Sequence, residues 1–222
     1  AADVRRDIAY EILRRGGAEH VIVMDHPNTT LIGKPLAELA VTWDVDPVEA
    51  AIKLQLEGDR KRAGGARLRG YSMSEDDVEA FAAQPWTATS TDAGIALAED
   101  GPDVHARFYG SFPRKLRHYA IERKVLTVEA AIRSSTSLPA EILGLEDRGK
   151  LQKGYHADLV LMDLERIRDR ATFFDPHQYP EGIEYVLIGG IAVVEHGKPT
   201  SQLAGKVLLR PRGRDDAVPR AD

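Results

Sequence analysis

Apolar residues recur along the chain with different periods, and the changes of period mark out its elements. Val4, Ile8 and Ile12 fall at every fourth position after Asp3, which predicts a helix capped by Asp3 and stopped by Gly16 and Gly17. His20 to Asp25 (HVIVMD) is a short continuous apolar run of the buried-strand type, and Pro27 and Asn28 open a loop behind it. Leu36, Leu39 and Ala40 predict a short helix ending near Trp43. Asp46-Pro47-Val48-Glu49 is a helix start: Asp46 caps, Pro47 takes the first position, where a missing N–H costs nothing, and Glu49 is placed to reach back. Ala50, Ala51, Leu54 and Leu56 then supply the buried side, and Gly58 ends the helix.

Asp59 to Gly70 (DRKRAGGARLRG) is basic and glycine-rich and reads as a solvated loop. Ser74, followed by Glu75, Asp76 and Asp77, caps a helix with acids in its first turn; Val78, Phe81 and Ala82 face inward and Pro85 ends it. Trp86 to Ser90 is a short extended run leading to Asp92. Gly94 and a long polar loop follow, through His105 and Arg107 to the cluster Phe108 to Pro113. Thr127-Val128-Glu129 and Ser137-Leu138-Pro139 start two helices, the second closed by Gly144. Leu159–Leu164, Tyr185–Ile188 and Ile191–Glu195 read as strands, the last two forming a hairpin around Gly189-Gly190. His196-Gly197-Lys198 is a further turn, Val207–Arg210 a last strand, and Pro211–Asp222 a frayed tail. A helix that hands over to a strand at Trp86 fits an α/β unit.

Composition narrows the classes of function. With 222 residues, 43% hydrophobic and 29% charged, the chain has the balance of an ordinary globular protein. The net charge of -5 is mild and scattered, so neither nucleic acid nor an anionic membrane surface is an expected partner. The absence of Cys excludes disulfides and thiolate metal sites. No apolar run reaches the length of a membrane span and no signal-peptide pattern opens the chain, so the expected location is cytoplasmic. The opening Ala1-Ala2-Asp3 lacks an initiator Met, as in a processed or cut chain.

A few residues carry candidate chemistry. Asp92, an acid at the carboxyl end of an extended run before a long loop, stands where α/β barrels place catalytic groups; the same position also suits a turn or cap. Arg107 reads by itself as a surface arginine in a salt bridge. Met73 reads by itself as core before a helix. The seven histidines (His20, His26, His105, His118, His156, His177 and His196) form no H-x-H or H-E-x-x-H pair. His105 is a candidate for hydrogen bonding in the loop after Asp92, and the others read as structural, surface or turn positions.

Two stretches resemble one family. TDAG (Thr91 to Gly94) followed by HARFYGSFPRKL (His105 to Leu116) resembles the end of the catalytic barrel in the N-acyl-D-amino-acid deacylases, or D-aminoacylases, of the amidohydrolase superfamily. That family carries S-D-G at its last barrel strand and H-P-R-x-[WY]-G-[TS]-F-P-R-V-L after it. Here Thr91 stands for the Ser, Ala93 is inserted before Gly94, and Ala106 stands for the Pro. Pro139 to Leu145, Gly154 to Val160 and the D-P-H-Q-Y-P run from Asp175 to Pro180 also match the family.

The resemblance implies an α/β fold: the C-terminal portion of a metal-dependent hydrolase (β/α)8 barrel, with an inserted lid and part of a small β-sandwich domain. Its expected layout is a lid over 1–85, the last barrel strand, active-site loop and final helices over 86–145, the C-terminal β-domain strands over 146–210, and a flexible tail over 211–222. It implies a zinc-dependent enzyme that hydrolyses the amide of an N-acyl-D-amino acid, giving a D-amino acid and a carboxylate. Asp92 would carry the proton and is a candidate metal ligand, Arg107 would grip the α-carboxylate, and Met73 would line the side-chain pocket. Most zinc ligands would lie outside this chain, because the family's metal-binding strands have no counterpart in it. The expected partners are therefore the small N-acyl amino acid substrate and a missing N-terminal barrel segment or subunit. The alternatives are a non-catalytic interaction or regulatory module, and an amidohydrolase acting on a different amide.

Overall fold

The computed structural model describes residues 2–61, 64–101 and 104–209. The chain forms two compact units, Ala1–Val78 and Glu79–Asp222.

The first unit is helical around a two-stranded sheet. Helix α1 spans Ala2–Leu13 and places Asp3 in its first turn rather than at the cap. Strand β1 (Val21–Asp25) and strand β2 (Arg67–Gly70) pair antiparallel, with Val21 opposite Gly70 and Val23 opposite Leu68. Helix α2 (Leu36–Trp43) and helix α3 (Pro47–Glu57) bring Leu36, Leu39, Ala40, Ala50, Ala51 and Leu54 together with Val21 and Val23. Ile8 and Ile12 of α1 pack against this cluster, so the four-residue repeat reports a real face. Leu56, expected beside them, is 74% exposed.

The end of the basic stretch is strand, not loop. In Arg67-Leu68-Arg69-Gly70 the alternation puts Leu68 toward the core, and backbone pairing with β1 does the rest. Before it, the chain turns back tightly on α3. Asp59 bridges Gly65, whose φ is 69°, and a Cβ on Gly65 would lie 1.9 Å from the Gln55 carbonyl oxygen. Only glycine fits there.

The start of α3 is as the sequence predicts: the Asp46 side chain accepts from the Glu49 N–H at 2.9 Å, with Pro47 at the first helical position. Glu49 itself forms an ion pair with Arg5. Asp46→Ala should lower stability by about 1 kcal/mol, the usual value of such a cap, read as a lower urea midpoint with an unchanged m-value. An unchanged midpoint would show that the cap contributes nothing.

Helix α4 (Glu75–Ala82) crosses the boundary between the units, with the Ser74 hydroxyl accepting from the Asp77 N–H at 3.1 Å. Phe81, expected inside, is 62% exposed. In the second unit Trp86 lies in a turn and the segment Thr87 to Asp92 forms no strand. A strand needs a paired neighbour, and among the described residues none lies alongside it.

Helix α5 (Arg107–Arg114) takes in the cluster that follows the polar loop in the sequence and runs directly into a π-helical segment, Lys115–Glu122. Gly110 and Pro113 read locally as breakers. Gly110 instead permits close approach, since a Cβ there would lie 3.1 Å from the Asp169 Cβ. Pro113 withdraws one donor from the ladder, and the wider π turn follows at once.

Helix α6 (Val128–Ser135), capped by Thr127, and helix α7 (Ser137–Leu143), ended by Gly144 at φ 71°, match the predicted signals. Strands β3 (Leu159–Met162), β4 (Ile183–Ile188), β5 (Ile191–Glu195) and β6 (Lys198–Pro199) form an antiparallel meander in that order. The hairpin turn at Gly189-Gly190 has positive φ at both residues. β3 stops at Met162, short of the expected Leu164. Residues 207–209 carry no strand; Arg210 and the expected tail 211–222 lie outside the described residues. The core of this unit gathers Leu116, Ala120, Ala131 and the fully buried Ile167.

Candidate functional site

The segment from Thr89 to Gly94 is shaped by its own short side chains. The Thr91 hydroxyl accepts from the Ala93 N–H at 3.2 Å, closing a small turn. Asp92, at the tip of that turn, has φ 49°, a left-handed conformation that Asp tolerates better than most residues. Gly94 lies against Phe108 of α5, and a Cβ there would be 3.3 Å from the ring. The turn therefore meets the start of α5.

Asp92 and Arg107 come together in this way. Arg107 Nη2 is 2.9 Å from Asp92 Oδ2. The Asp92 side chain is 87% exposed and that of Arg107 38%. Arg107 is held through its backbone: its N–H donates to His105 Nδ1 at 3.1 Å, and its carbonyl accepts from the Ser111 hydroxyl at 2.9 Å. His105, the expected loop hydrogen-bonder, stacks edge-on against Phe173 at 5.0 Å. Arg107 Nε is buried without a hydrogen-bond partner.

Met73 lies in the first unit, between β2 and α4. It is 80% exposed, which excludes the reading of it as a core residue before a helix.

Two further groups lie around Asp92 that sequence reasoning did not single out. Lys115 is buried, and its Nζ donates to the Thr89 hydroxyl at 2.7 Å. Thr89 is also bound through its N–H to the Ser134 carbonyl at 2.7 Å and through its hydroxyl to Ser135 at 3.2 Å. The segment that leads to Asp92 is thus fastened to α6 and to the π-helical segment. A lysine inside F-P-R-K-L carries no local sign of burial, because its partner Thr89 lies 26 positions away.

The second group is the pair Tyr109 and His177. The Tyr109 hydroxyl is 2.8 Å from both the Ala96 carbonyl and His177 Nδ1, and His177 Nε2 donates to the Gly101 carbonyl at 2.7 Å. The D-P-H-Q-Y-P motif therefore has a use: it ties down the loop that follows Asp92. Sequence reading missed the contact because its partners are far apart in the chain.

Burial lowers the Lys115 pKa from its ordinary value of 10.5, because the ammonium loses water. Between the lowered folded value and 10.5 the unfolded chain binds the proton more readily than the folded one. Stability therefore rises with pH across that window. Lys115→Met should lose that rise, so any advantage of the variant in Tm shrinks as pH increases. Parallel Tm–pH curves for the two proteins would contradict the burial argument.

Among the described residues no group of three or more His, Cys, Asp or Glu could hold a metal ion. Asp92 is one oxygen donor with an arginine against it, whereas a catalytic zinc takes three protein ligands. The residues present do not by themselves fit a zinc site. No described helix is long and apolar enough to cross a membrane.

An acid at a turn tip thus meets an arginine at the start of α5, on segments tied down by Thr89, Tyr109 and His177. Residues 5–194 match the amidohydrolase family model, and the chain belongs to that family. It is 39% identical over 190 residues to a D-aminoacylase of Alcaligenes xylosoxydans xylosoxydans, covering 86% of this chain and 37% of the relative. It is 35% identical over 189 residues to the N-acyl-D-glutamate deacylase of the same organism, covering 85% and 36%. A crystal structure of D-aminoacylase superposes with a TM-score of 0.68 at 31% identity, covering 86% of this chain and 38% of that one. The N-acyl-D-glutamate deacylase of Bordetella bronchiseptica, solved with zinc and a phosphonate inhibitor, superposes with a TM-score of 0.63 at 29% identity, covering 84% and 38%. The chain thus spans well under half the length of these relatives.

Proposed function

We propose that the chain is the C-terminal region of a metal-dependent N-acyl-D-amino-acid deacylase. In this reading Asp92 accepts a proton from the attacking water and passes it to the leaving amide nitrogen. Arg107 binds the α-carboxylate, and Met73 touches the substrate side chain. The first unit serves as the lid insertion, residues 86–145 as the end of the barrel, and β3–β6 as strands of the small β-domain.

The observation that carries the reading is the meeting of Asp92 and Arg107 at 2.9 Å. Amide hydrolysis needs a base beside the attacked carbonyl, and in an N-acyl amino acid that carbonyl and the free carboxylate are separated by only the nitrogen and the α-carbon. A base and a carboxylate receptor that serve this substrate must therefore be neighbours. The similarity to enzymes named for N-acyl-D-amino acids supports the same substrate class.

Metal ligands would come from residues outside this chain, and so would the neighbours of the Trp86–Asp92 segment. Trp86, at 64% exposed, and Ile95, at 97%, give such a portion apolar surface to cover. Joining the chain to that N-terminal portion, fused or as a second polypeptide, should yield bound zinc and hydrolysis of N-acetyl-D-leucine. The chain alone should show neither. The lack of a donor cluster among the described residues also suits a non-catalytic module, and an assembly that stays inactive would favour that reading.

A further inference from the structure

Asp92 and Arg107 pose a chemical conflict that the proposed roles leave open. A carboxylate held by a guanidinium has a lone pair engaged, and an arginine holding an aspartate is not free for a substrate. We propose that this ion pair is the resting half of an exchange: the α-carboxylate of the incoming N-acyl amino acid takes Arg107 and thereby releases Asp92 to act as base. The proposal rests on the deacylase reading and adds to it a link between substrate recognition and the freeing of the base.

The two partners are held very differently. Arg107 is on a helix, fixed at both backbone groups by His105 and Ser111. Asp92 is on a turn tip, and its carboxylate meets the Arg107 guanidinium. Asp92, on a turn rather than on a helix, is therefore the partner that moves.

The pairing is also incomplete from the arginine's side. Asp92 meets Nη2, while Nε is buried without a partner. Buried donors in native structures are nearly always satisfied. A carboxylate that spans Nε and Nη2 would satisfy both donors, in the bidentate geometry that makes arginine the usual receptor for this group. The exchange replaces one carboxylate by another, so the net charge around the guanidinium is unchanged, and the surplus hydrogen bond favours the substrate.

A consequence separates this device from a plain grip. A plain grip lost from the substrate raises KM alone. Under the exchange, a substrate without a carboxylate leaves Asp92 bound, and turnover itself falls.

The test uses the assembled enzyme with N-acetyl-D-leucine, its carboxamide N-acetyl-D-leucinamide, and acetate. The carboxamide should show a kcat lower by roughly 100-fold, the scale of a lost general base. Added acetate should raise that kcat saturably by taking Arg107, and should have no such effect in Arg107→Ala. A carboxamide that loses only KM, or acetate that inhibits both substrates alike, overturns the exchange while leaving the deacylase reading intact.

A second measurement is independent of turnover. The Arg107 Nε–H NMR signal is compared in the wild type and in Asp92→Asn, each with the ketone analogue in which CH2 replaces the amide NH. The two proteins should differ when free and converge when loaded. Signals that still differ in the loaded state show that Asp92 never leaves. If N-acetyl-D-leucine is not turned over at all, the deacylase reading fails and the exchange falls with it.

Discussion

Asp92→Asn should lower turnover of the assembled enzyme by roughly 10²–10⁴-fold, the range set by removing a positioned general base. The amide of Asn has nearly the same shape as the carboxylate, so the substitution changes chemistry more than form. Asn also tolerates the left-handed backbone that Asp92 adopts at φ 49°. The turn is closed by Thr91 and Ala93, not by the Asp92 side chain, so the variant should fold as the wild type does. What is lost is the proton acceptor, together with the charge facing Arg107. The expected pattern is a collapsed kcat with an unchanged melting temperature. A variant that kept wild-type turnover would remove Asp92 from the mechanism. A fall in turnover matched by a loss of Tm would assign it to structure instead.

Leu54→Ala should be among the most costly single truncations in the first unit, at about 2–5 kcal/mol. Leu54 is fully buried on the inner side of α3, within the cluster formed with Leu36, Leu39 and Val23, which are buried to the same degree. Those neighbours sit on a strand and a second helix, both fixed by backbone hydrogen bonds, so they cannot collapse into the space that the substitution leaves. The loss compares with a total stability of about 5–15 kcal/mol for a domain. Leu56→Ala is the control two residues further on. Leu56 is 74% exposed, and its truncation should change stability by no more than about 0.5 kcal/mol. Urea unfolding of both variants decides the matter, and equal losses would place the core elsewhere.

The elements that the sequence made legible are those with local causes. α3 begins at Pro47 because Asp46 and Pro47 suit a helix start wherever they occur. α6 begins after Thr127 and α7 ends at Gly144 for the same kind of reason. The errors came where a distant partner decides the outcome. Arg67–Gly70 is strand only because Val21–Asp25 lies beside it. Trp86–Ser90 has strand-like sequence but no neighbour among the described residues to pair with. Gly110 and Pro113 are breakers by local rule, yet α5 runs through both.

The candidate site divides in the same way. Asp92 and Arg107 were found through family-like motifs around them, and the structure shows them in contact. Lys115, Thr89, Tyr109 and His177 act through contacts across the chain, with the Lys115–Thr89 bond spanning 26 positions and the Tyr109–His177 bond 68. No pattern of residue types within a short window could have disclosed such pairs.

The edge position of β3 in its sheet has a practical outcome at the bench. Its neighbouring residues Val160 and Leu161 point to opposite faces and are 51% and 59% exposed. A border strand with exposed apolar residues on both faces, and no strand on its outer side among the described residues, is a template for adding strands from other molecules. Concentrated preparations of this polypeptide by itself should thicken into aggregates from that rim, and a lysine at Leu161 is the first change to make for anyone who needs it to stay dispersed.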